Sequence, residues 1–300
     1  AAFCVITIED LMKKLRLGEF ERNSLVVFAI TMIANVLSYL YQIVMGNVLT
    51  PADYGTVNTL LSLSVVVGVP SGIISALTAT YTAKYHAHGE TFAIAAFMHG
   101  MLRVAAVLAA IVFVAGALLS RPIAHVLQID DPHYVTVVMV LVASNCLGPV
   151  FSSTLQGVKR FIPYSMNSVL SFAFRLLLGV IFVWLGWGIP GALAALILAA
   201  CLTMLYCLFK SRDLFFAPVK EKLALDRTEI RRYFVSTFWF QLFLLLMANG
   251  DVLLIKTFAA DPAEVGIYSS GSVIGKISLY LANAIVPVLL PMVAERQSTG

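Results

Sequence analysis

Eight long apolar runs follow one another along the chain, at 24–48, 55–80, 92–119, 135–155, 163–185, 190–209, 233–258 and 265–290, parted by short polar breaks. A helix rising about 1.5 Å per residue crosses a hydrocarbon core of about 30 Å in some 20 residues, which is the length of these runs. The pattern predicts an all-α membrane protein with about eight transmembrane helices. The polar positions between the runs are too few to serve as the solvated face of soluble helices.

Composition agrees. The 300 residues are 60% hydrophobic and 12% charged, against the roughly 25% charge of an ordinary soluble domain, which excludes a water-soluble fold. The basic residues outside the runs are strongly one-sided. If the helices alternate across a bilayer, Lys13, Lys14, Arg16, Arg22, Lys84, Lys159, Arg160, Lys210, Arg212, Lys220, Lys222, Arg227, Arg231, Arg232 and Arg296 share one face, and Arg121 stands on the other. Basic loops stay on the cytoplasmic side, so the amino terminus is expected there, in a multi-pass protein of the cell inner membrane. That same face attracts anionic membrane lipids, and no role with nucleic acid is indicated.

Two cytoplasmic stretches have an interfacial character. Ile8, Leu11, Met12 and Leu15 recur at helical spacing opposite Glu9, Lys13, Lys14 and Arg16, and Leu214, Phe215 and Phe216 lie amid basic residues before the seventh run. Both are expected to tether the chain to the inner leaflet. The organisation then reads as an amphipathic segment at 1–23, a six-helix bundle at 24–209, a basic linker at 210–232, and two helices of a second bundle at 233–300.

A short repeat supports a second bundle. Pro51-Ala52-Asp53-Tyr54-Gly55 after the first run is matched by Pro262-Ala263-Glu264-Val265-Gly266 after the seventh. Each proline suits the first turn of a helix, and each acid complements its positive end. Six runs separate the copies, so both fall on one face, as two parallel bundles related by an axis along the membrane normal would place them. The second bundle has only two helices here and the chain does not start with Met, so a piece of a longer protein is expected.

Charges within the runs carry the candidate chemistry. Arg103, Arg175 and Lys276 lie near mid-run, where a basic side chain on a lone helix costs roughly 2.5–3.5 kcal/mol. Polar stripes accompany them at steps of three or four. Ser269, Ser272, Lys276, Tyr280 and Asn283 form one, Asn35, Ser38, Tyr39, Gln42 and Gly46 a second, and Ser168, Ser171, Arg175 and Gly179 a third, while His99 and Arg103 stand four apart. Such stripes serve as interhelical glue or as the wall of a hydrated cavity. Three deep cations against one deep acid, Asp251, favour a cavity that takes an anion. Asp251 is read first as the ion-pair partner of a lysine, with a coupling proton or cation and cavity lining as alternatives; Lys256, near the outer end of its run, is expected to snorkel.

No cofactor or metal is signalled. Cys4, Cys146, Cys201 and Cys207 show no CxxC spacing, and no cluster of acidic or cysteine partners accompanies His86 and His88, which read as ordinary loop residues. Asp130-Asp131 with His125 and His133 is the one loop constellation that a membrane enzyme could use, and it reads more simply as a helix cap.

Taken together, Leu49-Thr50-Pro51-Ala52-Asp53-Tyr54-Gly55, the turn from Gln156-Gly157 to Arg160-Phe161, and the stretch from Asp251 through Val265-Gly266-Ile267-Tyr268-Ser269 to Pro287 and Pro291 resemble the polysaccharide biosynthesis flippases. These are the Wzx-like branch of the multidrug/oligosaccharidyl-lipid/polysaccharide (MOP) exporter superfamily. The resemblance implies twelve or more helices in two bundles around a cationic cavity, and an enzyme reading is set aside. A polyprenyl-diphosphate-linked oligosaccharide would enter from the cytoplasmic face and leave on the other, for cell-surface polysaccharide biosynthesis. Arg103, Arg175 and Lys276 would then hold the diphosphate and acidic sugars, with Asn35, Gln42, Tyr280 and Asn283 as further cavity candidates. Asp251 and Lys256 would form an ion pair or couple transport to an ion. A drug exporter and a lipid II flippase of the same superfamily are the nearest alternatives.

Overall fold

The structure is a computed structural model that describes residues 19–218, 227–259 and 261–276, with the side chains of 19–25 and 227–233 left aside. All its regular elements are helical: α1 (Glu19–Val48), α2 (Pro51–Val67), α3 (Val69–Ala87), α4 (Thr91–Leu118), α5 (Ser120–Val126), α6 (Pro132–Gly157), α7 (Phe161–Phe182), α8 (Gly188–Lys210), α9 (Arg212–Phe215), α10 (Arg227–Phe258) and α11 (Pro262–Gly275). The expected amphipathic segment at 1–23 and much of the linker at 210–232 fall largely outside the described residues.

The helix starts follow from their sequences. Thr50 accepts a hydrogen bond from the Asp53 amide at 3.2 Å and donates to the Asp53 carboxylate at 2.7 Å. Together they cap α2 with Pro51 in its first turn. Asp261 does the same for α11 by accepting from the Ala263 amide at 2.8 Å, and Asp131 caps α6 by accepting from the His133 amide at 2.8 Å. The carboxylate of Asp131 is thereby occupied with holding a helix end.

One expected span has internal structure, and the break between two others has a defined form. The run at 55–80 is the pair α2 and α3, bent by 48° at Gly68, where Pro70 lacks the amide that a continuous helix would use. The apolar stretch Phe161–Lys210 is 50 residues long. As one rod it would be about 75 Å, far beyond a bilayer. A π-helical turn at Val183–Trp187 breaks it, with Gly186 at φ 84° and Gly188 at φ 52°, and α7 and α8 fold back against each other. Counting the bent pair once and the hairpin twice, the described residues hold seven candidate spans by length and composition. Of the expected eighth, α11 is the described part.

Helices α4 and α3 pack on α6, α1 packs on α7, and α7 and α6 pack on α8, around a core that includes Met45, Leu60, Met139, Val142, Leu193 and Leu196. Helix α10 lies along α2 and α3, and α11 lies on α2. The two repeat copies meet directly: a β-carbon on Gly55 would stand 2.8 Å from the Gly266 amide nitrogen, and one on Gly266 would collide with the Pro51 carbonyl. Glycine is required here by backbone approach. The turn at 156–161 is held similarly, with Gly157 pressed on α3 and Arg160 donating to the Lys210 carbonyl at 3.0 Å and, in a bidentate pair, to Asp213.

One interfacial expectation is corrected. Leu214 is buried and Phe215 stacks on His99 of α4 with ring centroids 4.5 Å apart, so both pack inward. Phe216, 75% exposed, is the residue of that trio left facing out.

Candidate functional site

Where α1, α2, α7, α10 and α11 converge they leave a cavity of about 250 Å³. Helical spacing places its wall: Ser38, Tyr41 and Gln42 from α1, Asn58 and Ser62 from α2, Phe172 and Arg175 from α7, Asn249 from α10, and Ser269, Ser272 and Lys276 from the end of α11. The Lys276 ammonium donates to Asn249 Oδ1 at 3.3 Å, and Tyr54 donates to Gln42 at 3.2 Å. The Arg175 guanidinium stands 5.4 Å from the Phe172 ring centre, a cation–π contact that holds its stem in place.

The wall carries two cations and, among the described residues, no carboxylate. Tyr41 OH, Arg175 Nε and Ser269 Oγ are buried there without a hydrogen-bond partner among the described residues. An unmet buried polar atom costs about 1–3 kcal/mol, and the described wall is polar with two positive charges.

A second cavity, of about 550 Å³, lies between α2, α3, α6, α7 and α8, and α10 closes one side with Gln241, Leu244 and Leu245. It is bounded by the bend at Gly68 and by Gly148-Pro149, where proline interrupts the hydrogen bonding of α6. Arg175 lines both cavities.

The expected site residues divide. Arg175, Lys276 and Gln42 come together. Asn35 lies two turns along α1 from Gln42 and is not part of either wall. Tyr280 and Asn283 lie outside the described residues. The expectation for Arg103 is corrected: its side chain is exposed, on the face of α4 that also presents Val104 and Val107, and it lines neither cavity.

The lysine partner expected for Asp251 is corrected too. Asp251 Oδ2 accepts from Tyr268 OH and Ser272 Oγ, both at 3.1 Å, while Oδ1 is buried without a partner among the described residues. Lys256 does not snorkel. It is 3% exposed and donates to Thr56 at 3.4 Å. Tyr41, Asn58, Ser62 and Asn249 were missed by sequence reasoning, although Tyr54, Asn58 and Ser62 at steps of four on α2 are a stripe like those that were read. Among the described residues, no three His, Cys, Asp or Glu side chains gather as a metal site.

Several solved transporters share this fold. A multidrug resistance MATE family transporter of the MOP superfamily in an inward-facing conformation superposes with a TM-score of 0.67 at 14% identity, over 90% of this chain and 63% of that one. The MATE transporter VcmN of Vibrio cholerae in its bent form gives 0.62 at 14% identity, over 91% and 65%. A MOP superfamily transporter from Pyrococcus furiosus, described as having a binding pocket of reverse polarity, gives 0.55 at 14% identity, over 90% and 66%. The chain thus spans a little under two thirds of the length of these transporters, and at such identities the likeness is one of fold. No curated protein matches the sequence. The polysaccharide biosynthesis protein family matches residues 20–297, nearly the whole chain, and the chain belongs to that family.

Proposed function

We propose that the protein flips a polyprenyl-diphosphate-linked oligosaccharide across the inner membrane by alternating access, for cell-surface polysaccharide biosynthesis. The observation that carries this reading is the cavity walled by Arg175 and Lys276 with no carboxylate in its described wall. A guanidinium engages phosphate oxygens bidentately, an ammonium adds a point charge, and hydroxyls and carboxamides meet sugar hydroxyls. The polyprenyl tail stays in lipid. Exposed Lys84, Lys159, Lys210 and Arg212 at one end of the bundle, against Arg121 at the other, support a cytoplasmic amino terminus. Asp251, with one carboxylate oxygen unmet and Ser272 linking it to the cavity, is the group to bind a coupling proton or cation.

The fold shared with multidrug transporters favours one other reading, export of small drugs. A cationic wall repels cationic drugs, and this ranks the glycan lipid first. A lipid II flippase would use the same wall and differs in cargo alone.

Reconstitution in vesicles with a fluorescent polyprenyl-diphosphate glycan tests the proposal. Arg175→Gln and Lys276→Gln are each expected to lower translocation below about a tenth of wild type, a loss of roughly 1.4 kcal/mol or more, with protein yield unchanged. Undiminished flipping in both variants would overturn the cationic cavity. Export of small cations with no lipid movement would establish the drug reading instead.

A further inference from the structure

The cavity inside the first bundle has a wall unlike that of a drug or cation site. Among the described residues that line it there is no aromatic ring to stack a drug on and no carboxylate to hold a cation. It has instead many small hydroxyls and carboxamides with one guanidinium, Arg175, at its edge. Several of these groups are unused. Ser71 and Thr203 return their hydroxyls to their own helices, but Asn145, Ser152, Ser171 and Gln241 make no hydrogen bond among the described residues, and Arg175 Nε is buried without a partner. At about 550 Å³ the space falls within the roughly 300–1,000 Å³ of small-molecule sites.

We infer that this cavity is a sugar subsite that takes one acidic sugar unit, a hexuronate or its like, with its carboxylate on Arg175 and its hydroxyls on Asn145, Ser152, Ser171 and Gln241. Hydroxyls and carboxamides both donate and accept, as a sugar ring requires of its partners. The one guanidinium in the wall suits an occupant that carries a negative charge. Because Arg175 also lines the cavity that faces Lys276, an acidic sugar here and a diphosphate there lie on two sides of one guanidinium. The inference rests on the flippase reading and narrows its cargo to glycans with an acidic sugar close to the diphosphate.

Gly148 provides the test. It lines the cavity, and a β-carbon there would meet nothing within 4 Å, so Gly148→Phe fills the space without a clash at its root. The intact protein in nanodiscs is measured against two probes, polyprenyl diphosphate bearing a hexuronate disaccharide and the same lipid without sugar. Gly148→Phe is expected to weaken the glycosylated probe at least tenfold relative to the bare lipid. Equal effects on the two probes would overturn the subsite and leave the flippase reading standing.

A second measurement does not depend on lipid transport or on that variant's folding. Gly148→Cys, in a background with the native cysteines changed to Ala, is labelled with a small water-soluble maleimide. Slowing of the reaction by free hexuronate disaccharide, but not by a neutral disaccharide, is expected. It would support the subsite even if wild type bound neither lipid, which is the outcome that sinks the flippase reading alone. A rate unaffected by either sugar would mean a cavity for water only and overturns the inference.

Discussion

Lys256 is buried to 3% exposure with the Thr56 hydroxyl as its one hydrogen-bond partner among the described residues. A buried ammonium that loses its hydrogen-bond acceptor is costly, even with the Asp130 carboxylate acting on it from further off. Thr56→Val is therefore expected to lower stability in detergent by about 1–3 kcal/mol, and adding Lys256→Met to recover most of it, since the stem still packs and the charge is gone. A double-mutant cycle of thermal unfolding checks this, and additive losses would refute it. The Arg160–Asp213 pair behaves differently because both side chains are 40% or more exposed. Its hydrogen bond from the Arg160 guanidinium holds the Asp213 carboxyl below the usual carboxylate range. A depressed carboxyl stabilises the fold at pH above its unfolded value of about 3.9 and loses that contribution as pH falls through the folded value. Solvent screening limits it to about 1 kcal/mol or less. The stability gap between wild type and Asp213→Asn is thus expected at pH 7 and to close as pH drops below about 3.9. Arg103 and Lys256 show what a charged residue in an apolar run leaves unsaid. Spacing puts Arg103 near mid-helix, but only the packing of α4 on α6 and α3 decides that its face looks outward beside Val104 and Val107.

The helices were legible where chemistry is local. Pro51 with Asp53 and Pro262 with Glu264 mark two helix starts, and Asp131 marks a third by the same capping logic. Gly68-Val69-Pro70 also carried the signal of a bend, yet the run at 55–80 reads as one span because hydropathy is blind to direction. The site was half legible. Arg175, Lys276 and Gln42 stand out as polar groups at helical steps, whereas Asn249 and Tyr41 acquire meaning only when five helices converge. The turn between α7 and α8 gives an element-scale prediction. Gly186 adopts φ 84°, open to glycine and strained for other residues, and nothing stands within 4 Å of a β-carbon there. Gly186→Ala should cost about 1–2 kcal/mol from backbone strain alone, read as a lowered melting temperature with no change in the packing of α7 on α8. An unchanged melting temperature would refute it.

Across the described residues, α10 and α11 pack on the preceding helices along α2 and α3. Steric intolerance is acute at Gly266, where an added carbon would fall on the Pro51 carbonyl, with Gly55 facing it across the same seam. Gly266→Ala is expected to cost about 1–3 kcal/mol as the helices part. Gly275→Ala, with nothing within 4 Å of its added carbon, is expected to cost far less in the same thermal assay. Equal losses in the two would show that the close approach is dispensable. The glycine pair also sets an order of events in biosynthesis. Its members stand 266 − 55 = 211 positions apart in the chain, and at about 5–20 residues per second the ribosome needs on the order of 10–40 s to supply the second after the first. For that interval α2 waits with its first turn uncovered, so the nascent chain is open to misassembly or to quality-control proteases at the seam where the finished protein brings two backbones together.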